Sequence, residues 1–310
     1  MPVAYFDAHC DTLTAVLENG GGLFENRFHV DFRRLAAYAP CAQVFAIWNG
    51  RYEEKVALLR RECAARADAV ALCRSGGEVR AANSAGKIAA LLSVEGAESL
   101  GCDIGRLREA RRRDGIVMLN LCWNSDNALC GSAFGAGTGL TEKGREFVRE
   151  CQRIGVAVDM SHAGERTFWD TLEIAEKPII ASHSDSAALC STFPRNLTDA
   201  QFEALVRCGG GAGINLCPDF LSDGGADIDD AVRHIEHFLA LGGEQAVFIG
   251  ADFDGIDATP RGISGVQDME RLYDALLARN YPDELVGDIF YGNLLRILER
   301  TGATQEESTR

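Results

Sequence analysis

The stretch "VAYFDAHCDTL" (residues 3–13) is a short apolar run that ends in a histidine and an acid two positions apart. In a β-strand, residues i and i+2 lie on the same face, so His9 and Asp11 are expected to point together while Cys10 points away. We interpret Cys10 as a packing residue, because free cysteine buries readily. One such pair is weak evidence for a metal site, and its meaning depends on whether similar strand ends recur along the chain.

Seven further apolar runs follow the first one. They are nearly continuous in apolar residues, which is typical of strands that are buried on both faces of a parallel sheet. The predicted strands are 3–9, 42–48, 88–96, 115–121, 156–162, 178–184, 211–217 and 246–254.

Helical patterns lie between these runs, with apolar residues at spacings of three and four. Thr198 and Gln201 have the spacing of a capping box, which marks the start of one helix. The other predicted helices are 52–75, 141–155, 228–241 and 283–299.

Eight strands that alternate with helices predict an α/β fold, a closed (β/α)8 TIM barrel that residues 1–310 form as a single domain. An open doubly wound sheet is the competing architecture. It gives no reason for the polar residues that follow the strands.

The composition is that of a globular protein, with 46% hydrophobic and 25% charged residues. The net charge of −15 disfavours binding to nucleic acid and to an anionic membrane surface, since both need Lys and Arg. No apolar run is long enough to predict a transmembrane helix, and the N-terminus lacks the pattern of a signal peptide. The 11 cysteines are scattered, so we expect reduced thiols and a cytoplasmic location.

Five of the eight predicted strands end in polar side chains. They are His9 with Asp11, Glu95, His162, His183, and Asp252 with Asp254. The C-terminal strand ends of a TIM barrel meet at one mouth, where active sites lie. Burying three imidazoles and several acids there would be costly unless a cation were present. The strand ends therefore predict a metal site.

The remaining histidines do not end predicted strands. His29 precedes the second strand, and His234 and His237 stand three positions apart on a predicted helix. We interpret His234 and His237 as part of a solvated helix face rather than as metal ligands.

Imidazole and carboxylate ligands suit Zn²⁺ or another divalent first-row metal ion. Five candidate ligands exceed the three that a single catalytic zinc usually takes from the protein. Two ions that share Glu95 as a bridge would use all five. A carbamylated lysine is the alternative bridge, but none of the lysines ends a predicted strand.

The ordered motifs resemble those of the renal (membrane) dipeptidase family, binuclear zinc peptidases of the amidohydrolase superfamily. The motifs are "FDAHCDT", "SVEG", "DMSH", "SHS", "PRN", "GADFDG" and "YGNLLRILE", and they span residues 6 to 299. The resemblance implies a metal-dependent hydrolase of the TIM-barrel type that cleaves dipeptides. Some members accept a D-residue at the C-terminal side, and many are homodimers.

The resemblance also implies roles for individual residues. One ion would be held by His9 and Asp11, the other by His162 and His183, with Glu95 as the bridge. Arg195 of "FPRN" would bind the substrate carboxylate and Asp252 would be the catalytic acid–base. Asp254 is expected to support the substrate pocket, either behind the ligands or as a loop anchor.

The chain departs from the family pattern after the fourth strand, where the usual histidine contacts the tetrahedral intermediate. The stretch here reads "LNLCWNSDN", and Trp123 takes that place. Trp123 would form an apolar wall for a substrate side chain or would simply pack in the barrel.

The expected reaction is attack on the scissile carbonyl by a hydroxide that bridges two Zn²⁺ ions, with Asp252 transferring the proton to the leaving amine. Arg195 would bind the terminal carboxylate, although pairing with a surface acid such as Asp199 is its alternative role. Two other functions stay open from the sequence. One is hydrolysis of N-acyl amino acids or related carboxylate-bearing amides, and the other is a catalytically decayed barrel that still binds metal.

Overall fold

The computed structural model describes residues Pro2–Gly302, and all of its strands lie in one parallel sheet. The strands are β1 (Tyr5–Cys10), β2 (Cys41–Ile47), β3 (Val70–Leu72), β4 (Ile88–Val94), β5 (Met118–Asn120), β6 (Ala157–Asp159), β7 (Ile180–Ala181), β8 (Gly211–Ile214) and β9 (Val247–Ile249). The order β2-β1-β9-β8-β7-β6-β5-β4 closes through direct pairing of β2 with β4. The predicted closed barrel of eight strands is therefore confirmed.

The helices lie between the strands, as the TIM-barrel prediction requires. They are α1 (Thr12–Asn19), α2 (Phe32–Leu35), α3 (Tyr52–Ala65), α4 (Gly76–Ser84), α5 (Ile104–Glu109), α6 (Glu142–Arg153), α7 (Glu165–Ile174), α8 (Asp199–Arg207), α9 (Pro218–Leu221), α10 (Ile228–Ala240), α11 (Met269–Ala278), α12 (Asp283–Gly287) and α13 (Asn293–Thr301). Among the described residues, none of these helices has both the length and the apolar character needed to cross a bilayer.

The capping box predicted at the start of α8 is present. The Thr198 hydroxyl accepts a hydrogen bond from Gln201 N at 3.3 Å, and Gln201 Oε1 accepts one from Thr198 N at 2.9 Å. These two bonds satisfy backbone donors that the first helical turn leaves free. They fix the start of α8 directly after the loop that carries Arg195.

The prediction of one helix over 52–75 is wrong in its second half. The helix α3 ends at Ala65, and β3 pairs with the first residues of β4, with Val70 opposite Ile88. Residues 66–75 have helix-compatible composition, but pairing beside β4 supplies backbone partners and buries Val70. Tertiary pairing thus overrides local helix propensity here.

Apolar side chains fill the N-terminal half of the barrel interior. Phe6, Val44, Leu91 and Phe248 belong to one buried cluster that also contains Leu294 of α13. Helix α13 covers this end of the barrel, since Asn293 Nδ2 donates to the carbonyl of Val247 at 2.7 Å. A site in the barrel mouth is therefore expected at the other end, where the strands finish.

Candidate metal centre

The five predicted metal ligands meet at the C-terminal ends of the strands. His9 lies near the end of β1 and Glu95 directly follows β4, while the other ligands stand in the loops after β1, β6 and β7. All five residues are buried, with at most 4% of their surface exposed: His9, Asp11, Glu95, His162 and His183. The fold thus brings residues as far apart in sequence as His9 and His183, 174 positions, into one buried cluster.

A break in strand regularity helps His9 to reach this cluster. Phe6 and Ala8 pack into the barrel interior, so strict alternation would turn His9 away from it. The pairing of β1 with β2 shifts register between Asp7 and Cys10, which is the signature of a bulge. Bulges near active sites commonly redirect a side chain in this way.

Glu95 presents its two carboxylate oxygens to different histidines. Oε2 lies 3.4 Å from His9 Nε2, and Oε1 lies 2.7 Å from His162 Nε2. His183 Nε2 is 3.8 Å from the same Oε1. One carboxylate placed between two groups of imidazole nitrogens is the arrangement expected of a ligand shared by two cations.

The histidine rings are oriented so that Nε2 faces the centre of the cluster. His162 Nδ1 donates to Asn124 Oδ1 at 2.7 Å, and His183 Nδ1 is 2.7 Å from Ser182 Oγ. A polar partner on the outer nitrogen leaves the inner nitrogen available as a ligand. The inner nitrogens of His162 and His183 lie only 3.1 Å apart.

Buried polar atoms in the cluster lack partners that a cation would supply. His9 Nε2 and Asp11 Oδ1 make no hydrogen bond. A Cβ atom at Gly255 would lie 2.5 Å from both Asp11 Oδ2 and Asp252 Oδ1, so the two carboxylates approach the same glycine. Buried like charges at this spacing repel each other unless a cation separates them. The residues present therefore fit divalent metal ions.

The pKa values of His162 and His183 point the same way. Burial lowers the pKa of both His162 and His183 well below the usual range, so these imidazoles are neutral, as metal ligands must be. Burial raises the pKa of Glu95 to about 7, and the nearby Asp11 carboxylate adds to the rise. Burial alone would lower the pKa of His9, but the carboxylates of Glu95 and Asp11 raise it well above its ordinary value.

Backbone strain also concentrates at this end of the barrel. His162, Asp252 and Asp254 have positive φ angles of 73°, 59° and 68°. Such conformations are unfavourable for residues with a side chain and persist where the surrounding structure holds them, frequently at functional sites.

Asn215 holds Asp252, the predicted acid–base. Its Nδ2 donates to Asp252 Oδ2 at 2.9 Å, while its own Oδ1 accepts a hydrogen bond from Cys217 N at 2.7 Å. Asp252 Oδ1 lies 3.9 Å from His9 Nε2 and faces the cluster. Asn215 was not among the predicted site residues, because the strand-end pattern contained only charged residues and histidines. Its position as an uncharged polar residue directly after β8 was the available signal.

Arg195 lies in the loop between β7 and α8, next to His183. Its Nη2 donates to the carbonyl of His183 at 3.1 Å, its guanidinium carbon sits 5.1 Å from the centre of the Phe220 ring, and its Nε has no partner. Asp199 does not pair with Arg195, because it accepts a hydrogen bond from His237 Nε2 at 2.8 Å. Arg195 therefore keeps an unused donor next to the cluster.

A cavity of about 440 Å³ opens above the ligands. Its wall includes Arg195, Phe220, Asp252 and Trp123, and the indole of Trp123 is 5.1 Å from that of Trp48. This volume is within the range of small-molecule sites. Trp123 is 37% exposed, so it forms part of the wall rather than packing wholly inside the barrel.

Asp254 also borders the cavity, but both of its carboxylate oxygens are engaged. Oδ2 accepts a hydrogen bond from Thr12 Oγ1 at 2.5 Å, and Oδ1 accepts one from His29 N at 2.7 Å. Of the two roles expected for Asp254, these contacts fit that of a loop anchor.

The interpretation of His234 as part of a solvated face is wrong. His234 is 1% exposed; its Nδ1 accepts a hydrogen bond from Ser186 N at 3.0 Å, and its Nε2 donates to the carbonyl of Leu221 at 3.0 Å. The face of α10 that carries His234 packs against the loops after β7 and β8, which a helical pattern alone does not reveal. His237 remains partly exposed and bonds Asp199.

Comparison with known proteins identifies relatives along the whole chain. The family model described as membrane dipeptidase (peptidase family M19) matches residues 2–310. A crystal structure of a metallopeptidase from Rhodobacter sphaeroides, liganded with a phosphinate mimic of the dipeptide L-Ala-D-Ala, superposes with a TM-score of 0.86 at 27% identity. That match covers 97% of this chain and 100% of the other.

Two curated relatives are similar in sequence. An uncharacterized protein in the pqqA 5' region of Klebsiella pneumoniae is 32% identical over 79% of this chain and 94% of its own length. An uncharacterized dipeptidase of Schizosaccharomyces pombe is 34% identical over 70% of this chain and 54% of its own length. The chain thus spans about half of the Schizosaccharomyces pombe protein.

Proposed function

Because the chain belongs to the membrane dipeptidase family, peptidase family M19, we propose that it hydrolyses dipeptides with two divalent metal ions, Zn²⁺ or another first-row ion, as cofactors. Metal-dependent cleavage of the dipeptide bond is the activity that the family and its dipeptidase relatives support. The residues that would hold the two ions are His9, Asp11, Glu95, His162 and His183.

The observation that carries the proposal of two ions is the position of Glu95. Its oxygens face His9 on one side and His162 on the other, at 3.4 Å and 2.7 Å. A single ion would leave part of this buried set without a partner. When bound, two such ions would make a water nucleophilic at neutral pH and draw charge from the scissile carbonyl oxygen.

Asp252 is suited to move the proton. Asn215 occupies Oδ2, so Oδ1 is free to accept a proton from the attacking water and to deliver it to the leaving amine. Burial raises the pKa of Asp252, although the nearby His9 opposes the rise. A raised pKa lies closer to neutral pH, where the carboxyl group can both accept and release a proton.

Arg195 is suited to bind the substrate's terminal carboxylate. It is 7% exposed, and its free Nε lies beside an Nη2 already fixed by the His183 carbonyl. Two parallel N–H donors match a carboxylate and select substrates that end one residue beyond the scissile bond. The L-Ala-D-Ala mimic bound by the Rhodobacter sphaeroides relative supports including dipeptides with a C-terminal D-residue.

The test is metal analysis of the purified, zinc-loaded protein combined with a dipeptide screen that includes L,D pairs. We expect two ions per chain, hydrolysis of dipeptides and a higher melting temperature than that of the metal-free protein. Glu95→Gln should bind fewer ions and lose turnover, because one shared ligand oxygen is replaced by an amide nitrogen.

The matched control is Glu146→Gln, which makes the same change on the exposed face of α6. It should keep both metal content and turnover. One ion per chain with full activity would refute the two-ion proposal, and binding of two ions without hydrolysis of any dipeptide would refute the proposed reaction.

A further inference from the structure

A second chamber adjoins the main cavity on the side away from Arg195. It has a volume of about 380 Å³, and its wall includes Trp48, Asn49, Glu98, Ser99, Trp123 and Ser125. Trp48, Trp123 and Glu95 line both spaces, so the chamber opens directly beside the candidate metal centre. We refer to it as the side chamber.

The order of the strands places the side chamber opposite the carboxylate-binding end. Trp48 and Trp123 follow β2 and β5, whereas Arg195 and Phe220 follow β7 and β8 across the barrel mouth. A dipeptide with its C-terminal carboxylate on Arg195 and its peptide bond at Glu95 must extend its N-terminal residue toward Trp48 and Trp123. This placement of the substrate rests on the proposed function.

The chamber combines two indole rings with one carboxylate. Trp48 and Trp123 lie with their ring centres 5.1 Å apart at an interplanar angle of 56°. A Cβ atom at Gly96 would be 2.5 Å from Glu98 Oε2 and 3.5 Å from Trp123 Cβ. The Glu98 carboxylate and the Trp123 side chain therefore both lie beside Gly96. Gly96 has a φ of +86°, a conformation that also favours glycine.

Among residues Pro2–Gly302, Glu98 has no ion-pair partner. The basic side chains nearest in sequence to Trp48 are engaged elsewhere: Lys55 donates to the carbonyl of Trp48, and the Arg51 guanidinium bonds Glu54 at 3.0 Å and 2.6 Å. The chamber therefore offers aromatic faces and a negative charge with no cation of its own.

From these contacts we infer that the side chamber binds the N-terminal side chain of the substrate and selects a long cationic one, as in Lys or Arg. The aliphatic stem would pack on Trp48 and Trp123, and the charged head would lie over an indole face near Glu98. Indole is the most favourable aromatic partner for a cation, and guanidinium and ammonium groups both use it.

The test is the specificity constant of the metal-loaded enzyme for Arg-Ala, Lys-Ala, Met-Ala, Ala-Ala and Ala-Arg. The kcat/KM values for Arg-Ala and Lys-Ala should exceed that for Met-Ala by at least about fivefold, since Met has a long but uncharged side chain. Ala-Arg should show no such advantage, because its basic residue lies on the Arg195 side.

Variants separate the two parts of the chamber. Glu98→Gln should reduce the ratio of kcat/KM for Arg-Ala to that for Met-Ala by about fivefold, mainly through KM. Trp123→Ala should lower the values for both long substrates relative to Ala-Ala, and Trp123→Phe should restore part of that loss. Glu146→Gln on α6 carries the same charge change away from the mouth and should leave the ratio as it is.

The inference fails if Glu98→Gln leaves the Arg-Ala to Met-Ala ratio unchanged, or if Met-Ala or Ala-Arg is the better substrate of the unmodified enzyme. Either result can occur while dipeptides are still hydrolysed, so the proposed function would survive it. Absence of hydrolysis for every dipeptide would instead reject the proposed function.

Discussion

At the scale of single residues, Asn215 decides which oxygen of Asp252 is available. The amide occupies Oδ2 at 2.9 Å and leaves Oδ1 toward the candidate metal ligands. The amide itself is fixed by Cys217 N. In the proposed mechanism, Asn215 would position Asp252 for the proton transfer, while Asp252 would touch the reacting atoms.

Removing this hydrogen bond should reduce turnover more than substrate binding. We expect Asn215→Ala to lower kcat about tenfold or more with little change in KM, since a bond to a charged group contributes about 1.5–3 kcal/mol. Asp252→Asn should keep its metal content and lose most turnover. Steady-state kinetics with metal analysis of both variants checks this, and a loss confined to KM would contradict the role of Asn215.

Arg195 gives the second prediction at this scale. Arg195→Ala should raise KM for free dipeptides about tenfold or more, and should affect C-terminally amidated dipeptides far less, because only the former offer a carboxylate. Arg207→Ala, on the exposed surface of α8, is the matched control and should change neither. An equal effect on both substrate types would exclude carboxylate binding by Arg195.

At the scale of elements, His234 of α10 binds both the loop after β7 and the short helix α9 after β8. One ring nitrogen accepts from Ser186 N in the loop that carries Arg195, and the other donates to the Leu221 carbonyl next to Phe220. Phe220 in turn stacks against Arg195. A neutral imidazole is required for this arrangement, because a protonated ring has no acceptor for Ser186 N.

The pH dependence of stability should report this helix-to-loop contact. Burial lowers the pKa of His234 to about 4, against about 6.5 in an unfolded chain. The unfolded state therefore binds the extra proton between these values. The contribution of His234 to the free energy of unfolding is complete above about pH 6.5. It falls as the pH drops toward 4, by about 2 kcal/mol between pH 7 and pH 5.

Urea unfolding of metal-free protein at pH 7 and pH 5 measures the effect. Over this interval, the free energy of unfolding of His234→Gln should fall by about 2 kcal/mol less than that of the unmodified protein. His237→Gln, three positions along the same helix and partly exposed, is the control and should follow the unmodified protein. Identical pH dependence in all three would show that His234 does not titrate as its burial implies.

At the scale of the whole molecule, one repeated pattern, a buried strand that ends in His, Asp or Glu, predicted both the barrel and the meeting of these side chains at one place. That pattern found His9, Glu95 and His183 because chain direction alone brings parallel strand ends to one mouth. The single-domain organisation, the homodimer, the cytoplasmic location and the lack of a nucleic-acid partner stay predictions.

Other features depended on contacts that no local pattern encodes. Asn215 is an uncharged residue whose role appears only beside Asp252. The burial of His234 follows from its contacts with the loop after β7 and with α9. The strand β3 exists because residues 70–72 lie beside β4 and not because of their own composition.

Because α13 covers one end of the barrel, substrate entry and product release are restricted in the described part of the molecule. Since Phe6, Leu91 and Leu294 fill the passage from that side, whatever enters the mouth must also leave by it. The amino acid released from the C-terminal half of a dipeptide still bears the carboxylate that Arg195 would recognise. The released amino acid and the incoming dipeptide would then share one opening, so we expect free amino acids to inhibit hydrolysis.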